Sequence, residues 1–118
     1  MQNVTMQLNY IANASVPSSS GRTLAVIDPS DGQPFGEIQR SNADDIDAAV
    51  HAARQCYQAV WQRMAPVDRG RLLQKLSAKV LEHADELTAL EQRDCGKPTK
   101  QARADAVALA RYSEFYAG

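Results

Sequence analysis

Two cysteines, two histidines, one lysine beside a glycine and a scatter of carboxylates are the side chains through which this 118-residue chain could do chemistry. Cys95 stands just before Gly96, where a helical stretch is expected to end. The negative end of a helix disfavours a thiolate, and no histidine lies nearby in sequence to act as its base. Cys95 is therefore expected to be a small buried hydrophobe, and Cys56, next to an apolar stripe, the same. His51 and His83 sit among polar neighbours and read as surface or packing residues. Lys97 follows Gly96 as a phosphate-binding lysine would, yet no Gly-rich loop or dinucleotide fingerprint surrounds it, so a helix-terminus role is expected. Asp44, Asp45 and Asp47 lack the spacing of a calcium loop and suit the positive end of a helix instead. No Cys/His set has zinc spacing. The carboxylate of Asp94 would suit a hydrogen-bond acceptor near a helix end. By this reading the chain has no catalytic residue and no cofactor-binding residue of its own.

Composition narrows the partners. Hydrophobic residues make up 44% and charged residues 23%, the proportions of a soluble globular domain. A formal net charge of −1 gives no electrostatic reason to expect nucleic acid or an anionic membrane. The apolar runs are too short to span a bilayer. Met1, Gln2 and Asn3 show no basic start to a secretory leader, and two free thiols suit a reducing compartment, so a cytoplasmic protein is expected.

The elements that must position these residues fall into two stretches. In residues 1–40 the alternation of Leu8, Tyr10 and Ala12 predicts a strand, with Ser18-Ser19-Ser20-Gly21 as a flexible turn after it. A second strand is expected over Thr23 to Ile27 and a third over Phe35 to Gln39, an antiparallel hairpin or three-stranded unit. Between them Asp28-Pro29-Ser30-Asp31-Gly32 is a turn with a mechanism: Pro29 fixes φ, the Asp side chains hold backbone amides, and Gly32 accepts positive φ.

Residues 41–118 read as helical. Ile46, Ala49, Val50, Ala53, Tyr57, Val60 and Trp61 follow the spacing of one buried helix face, capped by Ser41 or Asn42. Pro66 suits a first helical position, and Leu72, Leu73, Leu76 and Val80 form a second stripe behind it. A third helix is expected from about Ala84 to Cys95, stopped by Gly96 and Pro98. From Thr99 to Gly118 apolar residues surround most of the helix circumference, as in a helix buried between layers. The fold class is thus α+β: short N-terminal antiparallel strands followed by four helices.

Several phrases in fixed order carry a resemblance. They are Tyr10-Ile11 with Ser20-Gly21-Arg22-Thr23, then Ile27-Asp28-Pro29-Ser30-Asp31-Gly32, then Asp44-Asp45-Ile46-Asp47-Ala48-Ala49-Val50 leading to Ala52-Ala53-Arg54. Trp61 and Asp68-Arg69-Gly70-Arg71-Leu72-Leu73 follow. Leu90-Glu91, Asp94-Cys95-Gly96-Lys97-Pro98 and Tyr116-Ala117-Gly118 close the series. Together they resemble the N-terminal segment of the aldehyde dehydrogenase superfamily, part of its cofactor-binding domain. The Ser-Gly-Arg-Thr opening is similar to the betaine aldehyde dehydrogenase-like branch.

The resemblance implies a longer parent that oxidises an aldehyde with NAD or NADP and forms a homo-oligomer. In that family a cysteine thiolate attacks the aldehyde, hydride passes to the nicotinamide, and a glutamate activates water. Those groups lie in later segments and have no matching position here. The resemblance also implies a monovalent cation, K+ or Na+, held by the carbonyls of Val26 and Ile27 and the carboxylate of Asp94, hard oxygen ligands suited to such ions. For Asp94 this reading stands beside the helix-end acceptor. For the whole chain, a stand-alone helical binding or dimerisation module derived from that family is the alternative to a piece of a dehydrogenase.

Overall fold

The computed structural model describes residues 5–118, so the expectation at Met1, Gln2 and Asn3 lies outside the described residues. Five strands precede four α-helices: β1 Thr5–Gln7, β2 Asn9–Ile11, β3 Ala14–Val16, β4 Thr23–Ile27, β5 Pro34–Gln39, α1 Ala43–Ala59, α2 Pro66–Glu82, α3 Ala84–Cys95 and α4 Thr99–Ala117. A single 3-10 turn, Trp61–Arg63, follows α1. The α+β class and the four helices match the sequence reading. Compact packing divides the chain into two units, one ending at Arg63 and the other Met64–Gly118. The change from strand to helix comes earlier, between Gln39 and Ala43, so α1 belongs to the same unit as the strands.

In the first unit β4 and β5 form the expected antiparallel hairpin, paired from Thr23↔Gln39 to Val26↔Gly36. Its turn works as the residue types dictate. Asp28 Oδ1 accepts from the Ser30 amide (2.9 Å) and hydroxyl (2.6 Å), the Gly32 amide donates to the Asp28 carbonyl, and Gly32 takes φ 71°. The first expected strand is instead three short ones. β1 joins β5 in parallel (Thr5↔Gly36), so the sheet order is β1-β5-β4. Parallel pairing needs a long return path, which the intervening chain supplies; only strands joined by a tight turn are bound to run antiparallel. β2 and β3 form a separate antiparallel ribbon whose two-residue turn places Ala12 at φ 53° and Asn13 at φ 64°. Two positive φ values define the tight hairpin turn that Asn-Gly usually marks. Ala-Asn carries no such mark, so the turn was hidden in the sequence.

Helix α1 starts at Asn42, whose side chain accepts from the Asp45 amide (3.1 Å) while Asp45 accepts from the Asn42 amide (3.0 Å). This reciprocal cap settles the choice between Ser41 and Asn42. The expected buried face is corrected by the structure: Ile46, Val50, Tyr57, Val60 and Trp61 are exposed, Ala53 also, and Ala49 is only half-buried. Periodicity identified the apolar face correctly, but a face is buried only where another layer reaches it. Within this unit α1 meets the β2–β3 ribbon through a groove lined by Tyr10, Ile11 and the small side of the helix.

The second unit is built on α4, against which α2 and α3 both pack. Its buried residues are small. Ala102, Ala106, Ala110 and Ser113 of α4 are enclosed, as are Gly70, Ser77 and Val80 of α2 and Ala84 and Thr88 of α3. A Cβ added at Gly70 would stand 2.3 Å from the Ala117 carbonyl oxygen, so α2 and α4 run antiparallel and touch backbone to backbone at that end. Of the expected leucine stripe, Val80 is buried and Leu73 half-buried, while Leu72 and Leu76 remain exposed. The seam follows Gly70, Leu73, Ser77 and Val80 instead, because small residues let helix axes come closer than leucines would. The enclosed hydroxyls are satisfied by their own helices: Thr88 donates to the Ala84 carbonyl (2.6 Å) and Ser113 to that of Leu109 (2.9 Å).

Candidate functional site

In the second unit the chain makes a sharp corner between α3 and α4. Gly96 ends α3 at φ 68°, its amide donating to the Gln92 carbonyl, and Pro98 then opens α4. Lys97 sits at the corner. Its ammonium reaches Asp105 Oδ2 on α4 at 2.5 Å and Glu91 Oε1 on α3 at 2.6 Å. Asp105 and then Glu91 push the Lys97 pKa above the ordinary lysine value, and Lys97 in turn holds the Glu91 carboxyl below its usual range. The expected helix-terminus role is thus met by ion pairing across the corner. Spacings of six and eight residues over a helix break lie outside any helical rule, so no pattern along the chain signals this pair.

Asp94 lies in the last turn of α3, exposed, and its carboxylate has no hydrogen-bond or ion-pair partner among the described residues. The helix-end acceptor expected there is not formed. Val26 and Ile27 belong to the first unit, at the end of β4, an edge strand of its sheet. The ladder slips between them, so Ile27 faces Pro34. Proline has no N–H to give to the ladder at that position. No cluster of three or more His, Cys, Asp or Glu among the described residues could hold a metal by side chains alone.

Asp45 does more than complement a helix dipole. It is buried, and it accepts from the Ser18 hydroxyl (2.6 Å), the Ser19 amide (2.9 Å) and the Asn42 amide (3.0 Å). Ser18 itself donates its amide to Gln39 Oε1 (2.7 Å), so the serine stretch expected to be a flexible turn is tied down at both sides. These donors, Ser18 foremost and then Ser19 and Asn42, hold the Asp45 carboxyl well below the usual carboxylate range. A carboxyl with a depressed folded value contributes stability above its unfolded value, about pH 4, and loses it as pH falls. Asp45→Asn puts an amide N–H₂ against a donor, so the Ser18–Asp45 link should open at every pH. Protection factors at Ser19 and Asn42, taken against the free-amide exchange rate at each pH, should therefore fall progressively below about pH 4 in the natural protein. In the variant they should be low and nearly flat with pH. Equal acid profiles would remove Asp45 as the lock.

The two cysteines overturn their expectation. Both are exposed and free, and Cys95 Sγ donates to the Glu91 carbonyl at 3.0 Å. Cys56 lines the open groove between α1 and the β2–β3 ribbon, and Cys95 lies in the last turn of α3. His51 is exposed, and His83 meets Glu86 Oε2 at 3.0 Å on the surface, as expected of surface histidines. The three positive-φ glycines, Gly21, Gly32 and Gly96, each end a separate turn. They lie in separate turns and make no Gly-rich cradle among the described residues. No helix among the described residues is long and apolar enough to cross a membrane.

Known proteins place this arrangement. Residues 16–118 match the model of the aldehyde dehydrogenase family. A Burkholderia cenocepacia structure, provisionally assigned as an aldehyde dehydrogenase, is 51% identical with a TM-score of 0.92, covering 94% of this chain and 23% of its own. An NAD-dependent aldehyde dehydrogenase of Sinorhizobium meliloti is 31% identical with a TM-score of 0.93, over 99% of this chain and 24% of its own. Betaine aldehyde dehydrogenase of Staphylococcus aureus, in complex with NAD+, is 26% identical with a TM-score of 0.91, over 95% and 23%. The betaine branch is one of several similar groups, and the chain spans about a quarter of the length of these structures. The chain belongs to the aldehyde dehydrogenase family and corresponds to its N-terminal portion.

Proposed function

We propose that this segment serves an NAD- or NADP-dependent oxidation of an aldehyde to a carboxylic acid, carried out by a longer protein. The observation that supports it is the family match over residues 16–118, joined to a closely similar fold at 51% identity. Within such an enzyme the strands and helices described above would form part of the cofactor-binding domain, in a cytoplasmic homo-oligomer. The segment contributes scaffold to that reaction rather than its nucleophile. Purified alone with NAD+ or NADP+ and a panel of aldehydes, the 118-residue chain should give no reduced nicotinamide above a buffer control, and a protein of full family length should give it. Turnover by the short chain that vanishes in Cys95→Ser would sink this reading.

We further propose that Val26 and Ile27, through their carbonyls, and Asp94, through its carboxylate, serve as ligands for K+ or Na+ in the full-length enzyme. The carbonyl opposite Pro34 and the unpaired carboxylate support this reading. Asp94→Asn removes the ligand charge and nearly keeps the shape, so potassium should raise the melting temperature of that variant less than that of the natural enzyme. Melts across potassium concentrations at constant ionic strength measure it. Identical responses would leave Asp94 without a cation.

A further inference from the structure

Among the described residues β4 has β5 on one side and nothing paired on the other, and all but Val26 of its residues are exposed. Hydrogen-bonded pairs alternate along an antiparallel ladder, so one bond fixes the phase. The Arg40 amide donates to the Arg22 carbonyl at 2.9 Å, which sets Arg22, Leu24 and Val26 with their peptide groups toward β5. Past the slip the Asp28 amide donates to the Gln33 carbonyl. Thr23, Ala25 and Ile27 therefore turn N–H and C=O away from β5, toward the open edge. The extra residue at the slip, Phe35, belongs to β5, so β4 keeps its own alternation. Edge strands are commonly guarded by lysine or proline, and Thr23-Leu24-Ala25-Val26-Ile27 has neither.

We propose that this edge is where two copies of the protein meet, β4 of one running antiparallel to the partner's β4 about a two-fold axis at Ala25. The pairing rests on the homo-oligomer proposed above and names one surface of it. A two-fold interface needs a segment complementary to itself, and this one is. Arg22 comes opposite the partner's Asp28 at both ends, so unlike charges meet. Leu24 comes opposite the partner's Val26, on the sheet face where Leu24 already stands beside Ile38. Leu24 and Ile38 are 45% and 43% exposed, and the joined sheet extends their apolar row. Thr23 comes opposite the partner's Ile27, and Ala25 meets its own copy with no bulk on the axis. The outward peptide groups then exchange both bonds at each of these pairs. A carbonyl has two lone pairs, so Ile27 in this ladder keeps one for a cation.

The test places cysteines on β4 of the full-length protein under mild oxidation. Opposed residues of a hydrogen-bonded pair stand about 5.5 Å apart at Cα, within the span of a disulfide. Two copies of position 23 would be about 14 Å apart, out of reach. A25C should therefore give about tenfold more disulfide-linked dimer than T23C, the link mapping to position 25 by mass spectrometry. T23C/I27C should link between its two positions, which keeps the test open if A25C folds poorly. A25K keeps every bond to β5 and sets two like charges on the axis, so Thr23 and Ile27 should lose amide protection. A natural protein that is monomeric at every concentration would overturn the homo-oligomer itself. An oligomer in which neither A25C nor T23C/I27C links better than T23C would overturn this surface alone. Protection of Thr23 and Ile27 that survives both A25K and dilution would also overturn it, because another part of the longer protein would then cover the edge.

Discussion

Ala110→Leu should lower the stability of the second unit far more than Leu76→Ala, although the second change removes the larger apolar group. Ala110 is fully enclosed on α4 and its neighbours along the seam, Ala106 and Ser113, leave no spare volume. Extra methylenes forced into a packed contact cost about 1–3 kcal/mol. For a unit of this size that is a fall of roughly 4–20 °C in melting temperature. Leu76 keeps 48% of its surface in solvent, so truncating it forfeits about 1 kcal/mol or less. Denaturant or thermal melts of the two variants decide the matter. A larger loss from Leu76→Ala would mean that the leucine stripe, and not the small-residue seam, holds α2 to its neighbour.

That contrast shows where the sequence was legible. Turn chemistry was: Asp28, Gly32, Gly96 and Asn42 each act as their side chains or their freedom of φ require. Helix existence was also clear, because a period of 3.6 survives whatever the helix packs against. Burial was not. Ile46 and Tyr57 have the spacing of a core face and are exposed, while Gly70, Ala106 and Ala110 carry no hydropathic signal and form the tightest contact in the second unit. Ala106 and Ala110 are apolar, but so is most of the α4 circumference, so hydropathy could not single them out; only the approach of a second element decides which face leaves water.

The candidate site divides the same way. Family order pointed to Val26, Ile27 and Asp94, and local chemistry pointed to Asp45 through the Asn42–Asp45 spacing of a capping box. The partners that give the side chains their setting come from elsewhere in the chain: Ser18 for Asp45, and Asp105 for Lys97. Pro34 facing Ile27 depends on a slip in strand register, and register is fixed by the turn and the sheet together rather than by either strand. Contacts that close over a corner or across a sheet have no fixed spacing to be read.

The outer side of α4 carries the last expected result, concentration-dependent self-association of the purified chain with binding of a hydrophobic dye. Leu109, Tyr112, Phe115 and Tyr116 stay exposed on this helix, three of them by two-thirds or more of their surface, and at about 3.6 residues per turn they lie within one arc of roughly 120°, a single outward face that another layer could cover. The Phe115 and Tyr116 rings meet edge to face with centroids 5.2 Å apart. A shallow groove on the same helix has an apolar floor of Ala104, Val107, Ala108 and Tyr112, flanked by Lys100, Arg103 and Arg111. Each large side chain taken out of water is worth roughly 1.5–3 kcal/mol, and 1.4 kcal/mol is tenfold in an association constant. Two such residues buried between copies give on the order of a hundredfold or more. Tyr112→Ser/Phe115→Ser should therefore raise the concentration at which association sets in by about a hundredfold and cut the dye signal. Amide protection of the α2–α4 seam should stay intact. Light scattering, dye fluorescence and hydrogen exchange on both proteins make the comparison. A natural chain that stays monomeric at high concentration and binds no dye would show that these rings need no cover, and would favour a self-sufficient binding module over a segment shaped to be packed against.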